Sequence, residues 1–89
     1  MLPARPPARL TLLVRAYCHL CDQMRAALAL HAAGVPVDEL DVDADPALEA
    51  QWGALVPVLL VDGRELCHYR LETSALAAVV AQAAGLNSP

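Results

Sequence analysis

The stretch Tyr17-Cys18-His19-Leu20-Cys21-Asp22 decides how this chain is organised. It joins the end of an apolar run, Leu10 to Val14, to the start of a segment in which apolar residues recur at helical spacing. In a chain of cytosolic composition, two cysteines with two residues between them at a strand-to-helix junction are typical first of a dithiol redox centre and second of half a metal site. The other elements are therefore expected to support this turn or to face it.

The composition is that of one small domain without a basic surface. The 89 residues include six Arg, no Lys and ten acidic residues, which gives a formal net charge of -4. Nucleic-acid binding and attachment to anionic membranes both need clustered positive charge, so we expect neither kind of partner. Three cysteines are too few for a disulfide-stapled secreted domain, and residues 1–8 are too short and too proline-rich for a secretory signal. We expect a cytoplasmic location.

The first half of the chain predicts a strand, a helix and a second strand. The near-continuous apolar run Leu10 to Val14 suits a strand that is buried on both faces. A helix is predicted from about Cys18 to Ala33, with Gly34 as its C-cap. Its buried face is expected to consist of Leu20, Met24, Ala27, Leu28 and His31. The second strand is expected to be centred on Leu40 to Val42.

A short second helix is predicted by its two ends. Asp45 is a good N-cap, Pro46 suits the first helical position, and Gly53 follows Trp52 where the helix should stop. The three aspartates at positions 41, 43 and 45 imitate the opening of a calcium loop. The glycine and the closing glutamate that such a loop requires are replaced by Pro46 and Trp52, so we expect no calcium site there.

The second half continues with a hairpin and a last helix. Val58 to Val61 is another buried-type run, and Asp62-Gly63 predicts a tight turn into a strand around Glu65 to Cys67. The last helix is expected from about Glu72 to Ala84, with a buried face made of Leu76, Val79, Val80 and Ala83.

The element order therefore predicts an α/β fold, β-α-β-α-β-β-α. A right-handed crossover makes the first two strands parallel, and the hairpin adds antiparallel strands, so the expected sheet is four-stranded and mixed, with helices on its faces. We expect one domain over residues 9–85, flexible tails at 1–8 and 86–89, and a monomer.

The position of the two cysteines assigns them different chemical roles. A thiol attacks a disulfide only as the thiolate, and the unpaired N–H groups and dipole of a helix N-terminus stabilise that anion. Cys18 lies at the predicted N-terminus and Cys21 one turn inside the helix. Cys18 is therefore the expected attacking thiolate and Cys21 the expected resolving thiol.

The residues around the cysteines are expected to tune the thiolate. Protonated His19 and the charge of Arg15 would favour the anion, whereas Asp22 would oppose it. The alternative interpretation is that His19 is an exposed first-turn residue and that Asp22 is a partner of the helix dipole. Tyr17 is expected to shield the sulfur rather than to transfer protons.

Two motifs together carry a family resemblance. The turn from Arg15 to Cys21, followed later by Leu55-Val56-Pro57-Val58-Leu59-Leu60-Val61-Asp62-Gly63, resembles a glutaredoxin of the thioredoxin-like superfamily, in particular small glutaredoxin-like proteins with a Cys-His-Leu-Cys turn. The resemblance covers about residues 9–84. It implies that Pro57 is cis and faces the dithiol, and that the backbone before it pairs with the substrate. Tyr17, His19, Val56 and Pro57 are then the expected substrate-binding residues.

One part of the chain departs from that family. Glutathione-using glutaredoxins carry a Gly-Gly followed shortly by Asp after the last strand, and the corresponding residues 66–71 contain neither. Only Arg70 is available there to hold a carboxylate. Glutathione is thus a possible electron donor but not an expected requirement, and no cofactor is needed. The expected partner is a disulfide-containing protein or a small thiol.

Metal sites are the first alternative. Zinc would need two ligands besides the cysteine pair, and the candidates by type are His31, Cys67 and His68. Because Cys67 and His68 are adjacent on a strand, they point to opposite faces and could hardly bind one ion. Cys67 is more simply a small buried residue. An iron-sulfur cluster shared by two copies through Cys18, which some glutaredoxins form, is the better metal alternative.

A second alternative is a thioredoxin-like module that binds a partner beside Pro57 without turnover. The sequence does not separate this from catalysis. The interpretation that we carry forward is a thiol-disulfide oxidoreductase that uses Cys18 and Cys21.

Overall fold

The computed structural model describes residues 9–83, and their elements follow the predicted order. The strands and helices are β1 (Leu10–Val14), α1 (His19–His31), β2 (Val37–Asp41), α2 (Pro46–Trp52), β3 (Val58–Val61), β4 (Arg64–His68) and α3 (Thr73–Ala83). Short 3-10 turns at Val42–Ala44 and Gly53–Leu55 flank α2. The predicted tails, the domain end at residue 85 and the last residue of the final helix, Ala84, lie outside the described residues.

The four strands form one mixed sheet in the order β2-β1-β3-β4. β1 runs parallel to β2 and antiparallel to β3, and β3 is antiparallel to β4, which confirms the predicted architecture. The hairpin between β3 and β4 turns at Asp62 and Gly63, both with positive φ (51° and 83°), as a tight two-residue turn requires. The register of this pair shifts between Leu59 and Leu60.

The core lies between the sheet and its helices. The central strands β1 and β3 are buried almost throughout, because strands inside a sheet with helices packed on it have little contact with water. The residues with the least exposed surface on these strands and on the helices are Leu10, Leu12, Leu13, Cys21, Met24, Val58, Leu59 and Leu76. Val79 and Val80 of α3 pack against this core, as expected.

The buried face of α1 differs from the prediction at two positions. It is centred on Cys21, Met24 and Leu28, whereas Leu20 is 36% exposed and His31 is exposed. At 100° per residue, Leu20 and His31 lie at the edge of the stripe that Cys21 begins. Cys21 is absent from the predicted face but is a fully buried member of the core.

Several predicted boundaries shift by one to three residues. α1 begins at His19 with Cys18 as its N-cap, and it ends with Ala32 as the C-cap rather than Gly34, which follows with a φ of 82°. β2 begins earlier than predicted and stops at Asp41, because Val42 turns into the 3-10 segment and is fully buried there.

α2 begins as predicted, with the Asp45 carboxylate accepting from the N–H of Ala47 at 2.9 Å and Pro46 in the first turn. Within residues 9–83, no helix is long and apolar enough to cross a membrane.

Candidate functional site

The two cysteines meet at the N-terminus of α1. Cys18 is the N-cap, with extended backbone angles (φ -114°, ψ 105°), and its sulfur accepts a hydrogen bond from the backbone N–H of Cys21 at 3.1 Å. The Cα atoms of the two residues are 5.1 Å apart and their sulfur atoms lie at about disulfide distance. The Cα separation lies within the range of disulfide-bonded cysteines.

The two sulfurs differ in their access to solvent. Cys18 is half-buried and packs at the margin of the core, whereas Cys21 is fully buried beneath it. A substrate can approach Cys18 from solvent but not Cys21. The backbone N–H that points at the Cys18 sulfur also stabilises negative charge on that atom.

The residues that flank Cys18 in sequence, Tyr17 and His19, are both exposed to solvent. Tyr17 has a φ of 58°, and its side chain is fully exposed, so it does not provide the expected shield. His19 is also exposed on the first turn of α1.

The carboxylate of Asp22 is paired with a neighbouring cation. It accepts from Arg25 at 2.7 Å, and Arg25 in turn pairs with Glu39 of β2 at 2.8 Å. These carboxylates raise the pKa of Arg25, with the hydrogen bond to Glu39 as the largest cause. The charge of Asp22 is thus directed along the helix surface and is partly neutralised.

Arg15 is held away from the role that its position in sequence suggested. Its guanidinium pairs with Asp43 at 2.8 Å and with Glu49 at 3.2 Å, and it donates to the carbonyl of Gly53 at 3.2 Å. The hydrogen bond from Arg15 is the main reason that the pKa of Asp43 is lowered. Because two carboxylates neutralise its charge, Arg15 joins the end of β1 to the α2 region instead of acting as a free cation beside Cys18.

The peptide bond between Val56 and Pro57 is cis, as predicted. Both residues are buried, and Pro57 directly precedes β3. Because Val58 pairs with Leu13, near the end of β1, this bond lies at the same end of the sheet as the connection from β1 to Cys18.

Tyr69 is a residue of this region that sequence reasoning did not single out. It follows β4 at the same end of the sheet and has a φ of 65°. Its N–H donates to the carbonyl of Pro57 at 2.9 Å, and its hydroxyl donates to the carbonyl of Ala54 at 2.8 Å. The only sequence signal near it is that residues 66–71 lack the Gly-Gly and Asp of glutathione-using glutaredoxins.

The remaining metal-type side chains are not gathered around the dithiol. Cys67 is 6% exposed, and burial is the main cause that raises the pKa of its thiol. Its neighbour His68 pairs with Glu65 at 3.0 Å. In the part of the chain that the structure describes, no group of three or more His, Cys, Asp or Glu side chains is placed to hold a metal ion.

A mixed four-stranded sheet, three helices, a dithiol at a helix N-terminus and a cis-proline before the third strand define the thioredoxin-like class. Within it, residues 9–81 match the model of the family described as Glutaredoxin-like domain (DUF836), and the chain belongs to this family.

The chain is also similar to several individual proteins. An uncharacterised protein of Mycobacterium tuberculosis is 32% identical over 78 residues, which is 80% of each chain. A crystal structure of a protein from X. campestris is 44% identical, with a TM-score of 0.66 over 78% of this chain and 91% of that one. A buckwheat glutaredoxin in complex with glutathione has a TM-score of 0.64 over 86% of this chain and 80% of its own, at 15% identity, which is a likeness of fold.

Proposed function

We propose that this protein is a thiol-disulfide oxidoreductase in which Cys18 attacks and Cys21 resolves. The observation that carries the proposal is the asymmetry of the pair. Cys18 is partly exposed and its sulfur accepts a backbone N–H at 3.1 Å, and Cys21 beside it is fully buried. Catalytic exchange needs such a combination, because one thiol must meet the substrate while the other waits out of its reach.

The exchange proceeds in two displacements. The Cys18 thiolate attacks one sulfur of a substrate disulfide, so that a mixed disulfide forms and the other substrate sulfur leaves as a thiolate. The thiol of Cys21 then loses its proton and attacks the Cys18 sulfur, which releases the second substrate thiolate. The substrate gains two electrons, the protein is left with the Cys18–Cys21 disulfide, and an external thiol returns it to the dithiol by the reverse steps.

The substrate side of the site is proposed to be the backbone around the cis-proline. Val56 and Pro57 lie at the same end of the sheet as the dithiol, and Tyr17 and His19 stand exposed beside it. A disulfide-containing protein, aligned along Val56, is the proposed partner of a monomeric, cytoplasmic enzyme that needs no cofactor.

Glutathione enters this proposal only as a candidate for the external thiol that reduces the Cys18–Cys21 disulfide. The buckwheat glutaredoxin binds it, but the likeness to that protein is one of fold. In this chain, residues 66–71 hold Tyr69 and exposed Arg70 in place of the family's Gly-Gly and Asp.

A redox titration tests the proposal. The protein is equilibrated in glutathione buffers of graded potential, free thiols are alkylated, and each cysteine is mapped by mass spectrometry. We expect Cys18 and Cys21 to oxidise together as one two-electron couple, within the range of about -270 to -120 mV spanned by dithiol redox proteins. Cys67 serves as the internal control and stays reduced. A cysteine pair that never oxidises, or that does so only after metal is stripped from it, contradicts the proposal.

A further inference from the structure

Tyr69 holds a backbone conformation that bulky residues adopt rarely. Its φ of 65° lies in the left-handed region, which glycine and asparagine adopt more readily than other residues. Residues in such conformations persist where the surrounding structure over-determines them, and they cluster at functional sites. Here two hydrogen bonds determine it: the N–H of Tyr69 to the carbonyl of Pro57 and its hydroxyl to the carbonyl of Ala54.

These two bonds hold the segment that leads into the cis-proline. Ala54 lies in the 3-10 turn and Pro57 directly precedes β3, so one residue, through its hydroxyl and its backbone N–H, binds both ends of a four-residue segment. From the other side, Arg15 donates to the carbonyl of Gly53. Val56 lies between the anchored carbonyls, so the two bonds to Tyr69 restrict the movement of its backbone.

The ring of Tyr69 is itself supported. It packs edge-on against the ring of His68, with centroids 4.7 Å apart and planes at 83°, and His68 pairs with Glu65 on the same strand. The side chain nevertheless remains 43% exposed. A group that is fixed from within and open to solvent on its other side is suited to shape a surface on which a substrate lies.

We propose that Tyr69 is a positioning residue of the dithiol site, which holds the backbone of Val56 in place for a peptide substrate. This rests on the proposed function. Loss of the Tyr69 contacts should affect only some substrates, because only a substrate with a peptide backbone can pair with the backbone of Val56. A small disulfide that reacts directly at Cys18 gains nothing from it.

Tyr69→Phe tests this inference, since it removes the hydroxyl and keeps the ring. With insulin as the peptide disulfide and dithiothreitol as the reductant, we expect KM to rise about two- to tenfold, the range that corresponds to one lost hydrogen bond. We expect kcat, the Cys18–Cys21 midpoint potential and the rate with 2-hydroxyethyl disulfide to stay unchanged. An unchanged KM for insulin, or an equal change for both disulfides, overturns the inference.

A second measurement separates this inference from the proposed function. Amide hydrogen exchange is followed by mass spectrometry over residues 53–57, where Tyr69→Phe should exchange faster than the original protein. The control is Asp38→Asn, which removes the ion pair with Arg9 at the opposite end of the sheet and should leave residues 53–57 unchanged. If the original protein reduces neither disulfide, the proposed function fails. Equal exchange in Tyr69→Phe and the original protein removes the positioning role whether or not the protein is active.

Discussion

The sulfur of Cys18 and the backbone N–H of Cys21 are 3.1 Å apart, and this hydrogen bond gives the two cysteines unequal chemistry. Cys18 is the N-cap of α1 and is half-buried, whereas the Cys21 side chain is fully buried. We therefore expect an external reagent to react with the thiol of Cys18 and not with that of Cys21.

Cys21→Ser should therefore trap a mixed disulfide on Cys18. The thiol of Cys18 still attacks and one half of the substrate disulfide leaves as a thiolate, but no second sulfur is present to release the other half, so a glutathionyl group or one peptide thiol stays attached. Intact-mass spectrometry under non-reducing conditions measures the adduct. Cys18→Ser should show none, and Cys67→Ala, in which only a buried thiol is lost, should behave as the original protein does. An adduct found mainly on Cys21 in Cys18→Ser would reverse the assigned roles.

Cys67 should make the protein less stable in alkali. Burial raises the pKa of its thiol above the ordinary value of 9.0. The native state therefore keeps the proton to higher pH than the unfolded chain does, so this contribution to stability is complete below the unfolded pKa and is lost as the pH rises through the native one.

The measurement uses the oxidised protein, in which Cys18 and Cys21 do not titrate. The free energy of unfolding is compared between the original protein and Cys67→Ala from pH 7 to 10.5. Above pH 9, we expect the free energy of unfolding of the original protein to fall relative to that of Cys67→Ala. A difference that stays constant over this range would show that Cys67 titrates alike in both states.

Leu13→Ala should strongly destabilise the fold. Leu13 has no exposed surface in the central strand β1, and removal of a buried leucine side chain leaves a cavity as well as a lost transfer energy, together about 2–5 kcal/mol. Leu30→Ala is the matched control, because the side chain of Leu30 is 76% exposed, and it should change stability by no more than about 0.5 kcal/mol. Urea unfolding of the reduced proteins measures both. Equal effects would place Leu13 outside the core.

Local signals predicted the parts of the fold whose hydrogen bonds are local. Asp45 caps α2 through a bond to Ala47, two residues away, and Asp62-Gly63 turns the hairpin by its own backbone angles. Cys18 likewise caps the helix that its neighbours form. In these cases the hydrogen bonds and backbone angles involve residues within one turn of chain, so the local sequence was enough to predict the geometry.

The same reasoning missed residues whose partners are distant in sequence. Arg15 stands three residues before Cys18 but pairs with Asp43 and Glu49, 28 and 34 residues away. Tyr69 depends on the carbonyl of Ala54, 15 residues back. Only the packing of α2 and β3 brings these groups together, and no spacing rule predicts that packing.

Arg15→Gln should lower the melting temperature more than Arg9→Gln does. Both changes remove an ion pair, but the side chain of Arg15 is 33% exposed and links two carboxylates and a carbonyl, whereas that of Arg9 is 77% exposed and pairs with Asp38 alone. Exposed single pairs contribute little to stability. Thermal unfolding at pH 7 measures the two differences, and an equal loss would mean that the three contacts of Arg15 act no better than one exposed pair.

The effect of Arg15→Gln should also depend on pH. Arg15 lowers the pKa of Asp43 below its ordinary value of 3.8, so the contribution of this carboxylate is present above that value and is lost as the pH falls through the lower native pKa. The gap in melting temperature between the original protein and Arg15→Gln should be widest near neutral pH and should narrow in acid. Asp43→Asn is the control, because without this carboxylate the gap should lose most of its dependence on pH. If the gap in melting temperature between the original protein and Arg15→Gln stays constant down to pH 2, the stabilisation comes from the bond with Gly53 instead of from the ion pairs.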